Sequence, residues 1–317
     1  MAGRHAPAPR GRRHRGLRMI FRILGVLALW WAAAPSFAAD LVTLGALDGV
    51  VSGFEQGHAV IRVVARAAKL RLQIPDADLQ RSLFNAQPGD AIAFVVDNAA
   101  KPKVITAVTS LARPVTVTAA FWAMVGSAVL VIGVSLLFLG GKNPLIGLDG
   151  RYSNSQTQLG LWFVAVATVY VAASFMRGIE LGGDFIGGVG LTAHVIAVTG
   201  LSAFTFGAAK VVASQKADGQ LPVASAQAAS PAKVIADKPR LRDLVNDDEA
   251  NADLGDLQMI LITLAAVIIF ICQSFWWLTA LQIAQQVTLP DVDTTLLATF
   301  GIGQGAYLFK KAATPAG

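Results

Sequence analysis

Few side chains in this sequence combine type and spacing in a way that could do chemistry. The first is a histidine. His194 lies inside a 25-residue uncharged window bounded by Asp184 and Lys210. An ionisable group inside an apolar span is a functional candidate by default, and imidazole exchanges its proton near neutral pH. Asp184 or Glu180, at the mouth of that window, would be its carboxylate partner. The competing reading is a neutral imidazole bonded to a helix neighbour such as Thr192 or the backbone near Ser202. A proton path needs further carboxylates within the membrane, and the window holds none.

The second candidate is RYSNSQTQ, residues 151–158. Its Ser, Asn and Thr residues suit a helix N-cap ahead of Thr157 and Gln158, while Arg151 and Tyr152 are of a type to hold a lipid phosphate. Other motifs with a mechanism are missing. There is no HExxH and no GxSxG, and Gly141-Lys142-Asn143 lacks the spacing and the Ser or Thr of a phosphate loop. The one cysteine, Cys272, excludes an internal disulfide or a multi-Cys metal site. No metal, cofactor or catalytic residue is expected.

The elements that must position these residues follow from composition. Of 317 residues, 54% are hydrophobic and 15% are charged, against about 25% charged in a soluble domain. That places the chain in a membrane. The formal charge of +6 is concentrated at the start, where residues 1–38 hold seven Arg and no acid. Removing those seven from the 26 basic residues leaves 19 bases against 20 acids, so no footprint for nucleic acid remains.

Residues 1–38 read as a signal peptide: an Arg-rich start, a short apolar run from Ile23 to Ala34, Pro35, then Ser36-Phe37-Ala38 at a cleavage position. Met19 begins a leader of more ordinary length. Residues 39–112 are richer in charge, with strand-like patterning at 46–53, 58–64, 68–74, 91–97 and 103–109. A short helix is expected at about 76–85, and Pro88-Gly89-Asp90 is a turn. Three strands, a helix and two strands are the order of an OB-like all-β barrel, here exported to the periplasm. Its aromatics are Phe54, Phe84 and Phe94, of which at least two are expected to fill the core. The bases between Arg62 and Arg71 are the segment's best candidate for a ligand or lipid-headgroup face, with a solvated strand face as the preferred reading, and His58 reads as a turn residue.

Beyond Val115 five uncharged windows recur, after Arg113, Arg151, Asp184, Asp256 and Asp293. A span needs about 20 residues, so the expectation is five spans, the last one short and helped by Lys310 and Lys311. A first helix covers 115–141, a hairpin 142–210, a linker with an acidic second half 211–256, and a second hairpin 257–311. The basic residues near the span ends put 141–157, 210–256 and the C-terminus in the cytoplasm. Trp122, Trp162, Trp276 and Trp277 lie near span ends and read as interfacial anchors.

The hairpins align with one another. Gln158 falls on Gln258, Gly200 on Gly301, Phe206 on Tyr307 and Lys210 on Lys311, which reads as a tandem duplication. Gly301-x-x-x-Gly305 and Ala203-x-x-x-Gly207 then occupy equivalent positions. Small residues at such spacing let helices approach closely, so Gly301, Gly305, Ala203 and Gly207 are expected to pair the third and fifth spans.

The segments LIGLDGRYSNSQTQLGLWF (145–163) and LPDVDTTLLATFGIGQGAYLFKK (289–311) resemble the two signature stretches of a group of uncharacterised bacterial multi-pass inner-membrane proteins. Those stretches are RYSxSxxQ leading into a helix and a Gly-rich GIxxGxY-like final helix. Gly303 departs from the Ser of that pattern, while Ser202 keeps it in the first hairpin. The resemblance implies fold and topology and carries no activity. The residues together read as a non-enzymatic inner-membrane protein whose exported β domain binds or scaffolds other membrane or periplasmic proteins, possible homo-oligomers included. A transporter or channel subunit with a path near His194 is the alternative.

Overall fold

The computed structural model describes residues 46–55, 59–65, 68–98, 101–140, 143–147, 150–217, 239–246 and 253–313. The expected leader, His58 and most of the 211–256 linker lie outside the described residues.

Alternating apolar residues build the strands β1 (Ala46–Glu55), β2 (Val60–Ala65), β3 (Ala68–Gln73), β4 (Ala91–Val96) and β5 (Ile105–Pro114). Between β3 and β4 runs the short helix α1 (Ala77–Ser82), capped by the Asp76 side chain, which accepts the Asp78 amide. In β2 the residues Ile61, Val63 and Ala65 are buried while Arg62 and Val64 are exposed, the two-residue period of a sheet with one face in a core. That core holds Leu47, Val51, Leu72, Leu83, Ile92, Phe94 and Ile105. Phe54 packs against it from a half-buried position, and Phe84 is outside it.

The sheet runs in the order β3-β2-β1-β4-β5 and then β7 (Ala280–Gln282), all antiparallel. It is not the expected closed barrel. One isolated parallel bridge, Gln73 to Val104, links β3 to the start of β5. The other edge of β5 is taken at its C-terminal end by β7 (Ala280–Gln282), a strand from a distant part of the chain.

Five helices follow: α2 (Val117–Leu139), α3 (Asn154–Leu181), α4 (Ala193–Ala217), α5 (Leu254–Leu278) and α6 (Thr294–Ala313). Of the five expected spans, α2, α3 and α5 are long and apolar enough to cross a membrane, and α4 carries a shorter apolar stretch, Ala193–Ala208. Both α4 and α6 carry lysines in their C-terminal halves, Lys210 in the one and Lys310 and Lys311 in the other. Helices α3, α4, α5 and α6 form a four-helix bundle in which α4 packs on α3 and α6, and α5 does likewise; α2 lies against α3. The bundle core includes Trp162, Val169, Phe270 and Phe300. Trp162 is therefore no interfacial anchor. Its ring stands 6.0 Å from Phe270 and 6.3 Å from Phe300, fully buried. Trp122 and Trp276 are exposed on the bundle surface.

Both hairpins turn at the sheet end of the bundle. Each turn includes a two-residue strand, β6 (Val189–Gly190) and β8 (Val287–Thr288), and these pair in parallel. Gly188 makes that approach possible. It adopts φ +62°, and a Cβ there would stand 2.1 Å from the Gln285 carbonyl oxygen. Its neighbour Gly187 (φ +83°) has nothing within 4 Å of the corresponding point. Gly187→Ala should cost only the left-handed strain, about 1–2 kcal/mol. Gly188→Ala should lower the melting temperature of the detergent-solubilised protein clearly further, since backbone must move. Equal melting temperatures for the two variants would remove this role for Gly188.

Candidate functional site

Among the described residues, buried polar side chains gather at each end of the bundle. At the sheet end the organising residue is Arg177, in the last two turns of α3 and fully buried. Its guanidinium, a planar fork of five N–H donors, meets carbonyls from both hairpin turns. Nε donates to Phe185 O at 3.3 Å, and Nη1 donates to Gln282 O at 2.8 Å. Nη2 donates to Ala284 O at 2.5 Å and to Gln285 O at 3.4 Å. The Phe185 ring lies 5.6 Å from the guanidinium carbon, within cation–π range. Among the described residues no carboxylate forms an ion pair with Arg177. Carbonyl dipoles stabilise the charge instead, and its position at a helix C-terminus is favourable as well.

A second arginine ties the sheet to the same place. Arg113, near the end of β5, pairs with the buried Asp90, donating Nε to Oδ1 at 3.0 Å and Nη2 to Oδ2 at 3.2 Å. Its Nη2 also donates to Asn85 O at 3.2 Å, and its Nη1 donates to Glu180 O at the end of α3. Apolar contacts reinforce the joint. Phe185 and Ile283, one from each hairpin turn, are buried in the sheet core. The backbone of Val115 donates to Thr279 O at 2.9 Å.

His194 also sits at this end, but not inside a span. It is the second residue of α4, about one-third exposed, and its Nδ1 lies 2.9 Å from Asp291 Oδ2. Thr192 donates its hydroxyl to Asp291 Oδ1 at 2.5 Å, so Asp291 of the second turn clasps two residues of the first. Asp184 is exposed in the turn, and neither it nor Glu180 is the carboxylate that meets His194. Nearby, Asp293 accepts the Thr295 and Leu296 amides at the start of α6. Those backbone bonds, first Thr295 and then Leu296, hold its carboxyl below the usual range, with the nearby His194 adding a smaller effect in the same direction.

At the far end, RYSNSQTQ opens α3. Ser153 occupies the N-cap position but makes no side-chain cap bond. The segment serves another purpose. Gln304 of α6 donates its amide to Gln158 Oε1 at 2.5 Å, Gln158 donates to Asn154 Oδ1 at 3.0 Å, and Asn154 donates to the Asp256 carbonyl of α5 at 3.2 Å. Three amides thus point one way across three helices, each below one-tenth exposed. Gln304 Oε1, Thr157 Oγ1, Thr205 Oγ1 and Trp162 Nε1 are buried around this relay without a hydrogen-bond partner. Arg151 and Tyr152 are half-buried at the same end, where Tyr152 bridges to Ile146. The 28 residues of α3, about 42 Å of helix, separate them from His194 and Asp184.

The small-residue expectation is corrected here. Helices α4 and α6 do pack together, yet Ala203, Gly207 and Gly305 are exposed. A Cβ on Gly207 or Gly305 would meet nothing within 4 Å, and one on Gly301 only Leu201 Cδ1 at 4.0 Å. The buried residues of these helices are instead Val195, Val198, Ser202, Thr205, Phe300 and Gln304. The aligned glutamines also differ, for Gln158 is buried and Gln258 exposed. Arg177 is not among the candidates that the sequence analysis named. Its signal was an arginine ending a long uncharged window just before a Gly-rich turn.

Comparison with family models, with curated proteins and with solved structures finds no match. Arg177→Leu leaves several buried carbonyls without a donor and should cost about 3 kcal/mol or more in thermal or denaturant unfolding, with Arg177→Lys intermediate. Unchanged stability of Arg177→Leu would overturn the organising role. Gln158→Leu and Gln304→Leu should each cost roughly 0.6–2 kcal/mol. The double variant should cost less than their sum, and strict additivity would deny the coupling.

Proposed function

We propose that this is a non-enzymatic integral protein of a bacterial inner membrane in which an exported β domain is a binding or scaffolding platform, mounted on the helical bundle. The observation that carries the reading is the continuity of the two parts. Strand β7, from the turn between α5 and α6, extends the domain's own sheet, and Phe185, from the turn between α3 and α4, fills its core. A domain built into the ends of four helices transmits force and position to them, which a tethered domain does not. The strand order, the helix between β3 and β4 and the parallel Gln73–Val104 bridge support an OB-like ancestry opened at one seam. Helices α4 and α6 pack along α3 and α5, which supports five spans and two duplicated hairpins.

The binding face is the exposed side of β1–β3. Its bases are not a bare cationic patch. Glu55 accepts from Arg71 at 2.8 Å and lies 3.5 Å from Arg62, which favours a protein partner over a polyanion. The transport alternative has less support, because His194 pairs with Asp291 at the bundle's end rather than within it. In a Cys272→Ser background, Ser52→Cys should label from outside intact cells and Leu241→Cys only after permeabilisation. Labelling of both from one side would sink the topology. A photo-crosslinker at Lys69 should capture a defined partner in native membranes. His194-dependent solute flux in proteoliposomes, with no crosslinked partner, would decide for the transporter.

A further inference from the structure

At the sheet end of α3, two adjacent pairs of residues divide in the same way. Leu83 and Phe185 enter the sheet core, at 0% and 5% exposure, while the residues after them, Phe84 and Ile186, are 70% and 65% exposed. Both exposed side chains belong to segments pinned to the last turns of α3. Asn85 O accepts from Arg113, whose other nitrogen donates to Glu180 O. Ile186 lies directly on Gly178, where a Cβ would come within 2.5 Å of its Cγ1. Beside Gly178 and Glu180 on α3, Ile179 is 75% exposed. Three separate segments thus bring large apolar side chains to one level.

That level is the rim of the lipid-facing surface. Trp122, in the second turn of α2, and Trp276, in the last turn of α5, are 63% and 41% exposed. Aromatic residues of this kind collect at the membrane–water boundary. The Val115–Thr279 hydrogen bond holds the adjoining ends of α2 and α5 side by side. Phe175, one turn below Ile179, continues the apolar surface down α3 at 56% exposure. An exposed apolar patch continuous with a lipid-facing helix has lipid as its neighbour rather than water.

We propose that Phe84, Ile179 and Ile186 form an apolar lip that inserts into the headgroup–acyl boundary of the leaflet on the sheet side. The β domain then rests on lipid through its own residues as well as on the bundle. This inference rests on the reading that the bundle spans the membrane, and the test separates the two. In the full chain with Cys272→Ser, single cysteines are introduced by Phe84→Cys, Ile186→Cys, Val129→Cys on the exposed face at the middle of α2, and Ser52→Cys on β1. Each is spin-labelled in phosphatidylethanolamine–phosphatidylglycerol vesicles, and its collision rates with oxygen and with a water-soluble nickel complex are measured. The oxygen-to-nickel ratio at 84 and 186 is expected to be several-fold above that at 52 and to approach that at 129. If 84 and 186 match 52 while 129 stays lipid-shielded, the lip is overturned and the spanning bundle stands. If 129 is also open to nickel, the spanning reading fails with it. Shielding of 84 and 186 from both reagents means that protein covers them, which overturns the lipid assignment.

Discussion

A buried guanidinium is costly unless its donors are met, and Arg177 is fully buried. The carbonyls that meet it come from two separate turns, Phe185 in one and, more than a hundred residues along the chain from Arg177, Gln282, Ala284 and Gln285 in the other. Satisfying that one side chain therefore fixes how the two hairpins stand to each other. Once they are fixed, Val189 and Val287 are in register for the β6–β8 pair. Ala280–Gln282 is then presented as an edge for β5, and Phe185 points into the sheet core. The mount of the β domain follows from the arginine's hydrogen-bonding requirement.

The far end of the bundle uses a different device. Uncharged amides there form a directional chain from Gln304 through Gln158 and Asn154 to the Asp256 carbonyl. Apolar helices in lipid gain nothing from hydrophobic burial against one another, so polar contacts and close packing must select partners. The relay selects α3, α5 and α6 and holds their ends in register. Charge and its carbonyls organise one end, and neutral amides organise the other.

The elements of both parts were legible in the sequence because each has its own period. Alternation in Val60–Ala65 and its neighbours reveals strands, and the uncharged windows reveal the helices, although α4 starts nine residues after Asp184 and α5 ends thirteen before Asp291. Sites were much less legible. His194 looked interior because its window was uncharged, but helix α4 begins only at Ala193, which leaves the imidazole at the bundle's rim beside Asp291. Gly305 and Gly207 looked like packing positions because of their spacing, yet the rotation of α4 and α6 turns them outward. Two glycines of the helical part that do admit a close neighbour, Gly178 and Gly188, carry no motif. Their partners, Ile186 and Gln285, lie in turns whose path local sequence does not specify.

What the sequence by itself determined is the division into a charged, strand-forming segment and an apolar, helix-forming one, and the order of the elements within each. Those are properties of composition and short-range periodicity, set residue by residue. Only the tertiary structure decided that the sheet stays open, that β7 and Phe185 cross from the helical part into it, that Trp162 is core, and that Gln158 and Gln258 differ in burial. Each of these depends on which segments distant in the chain meet, and that choice is made by unpaired strand edges and buried polar groups finding partners. A hydrogen-bonding requirement is written in one residue, but the residue that meets it can lie a hundred positions away.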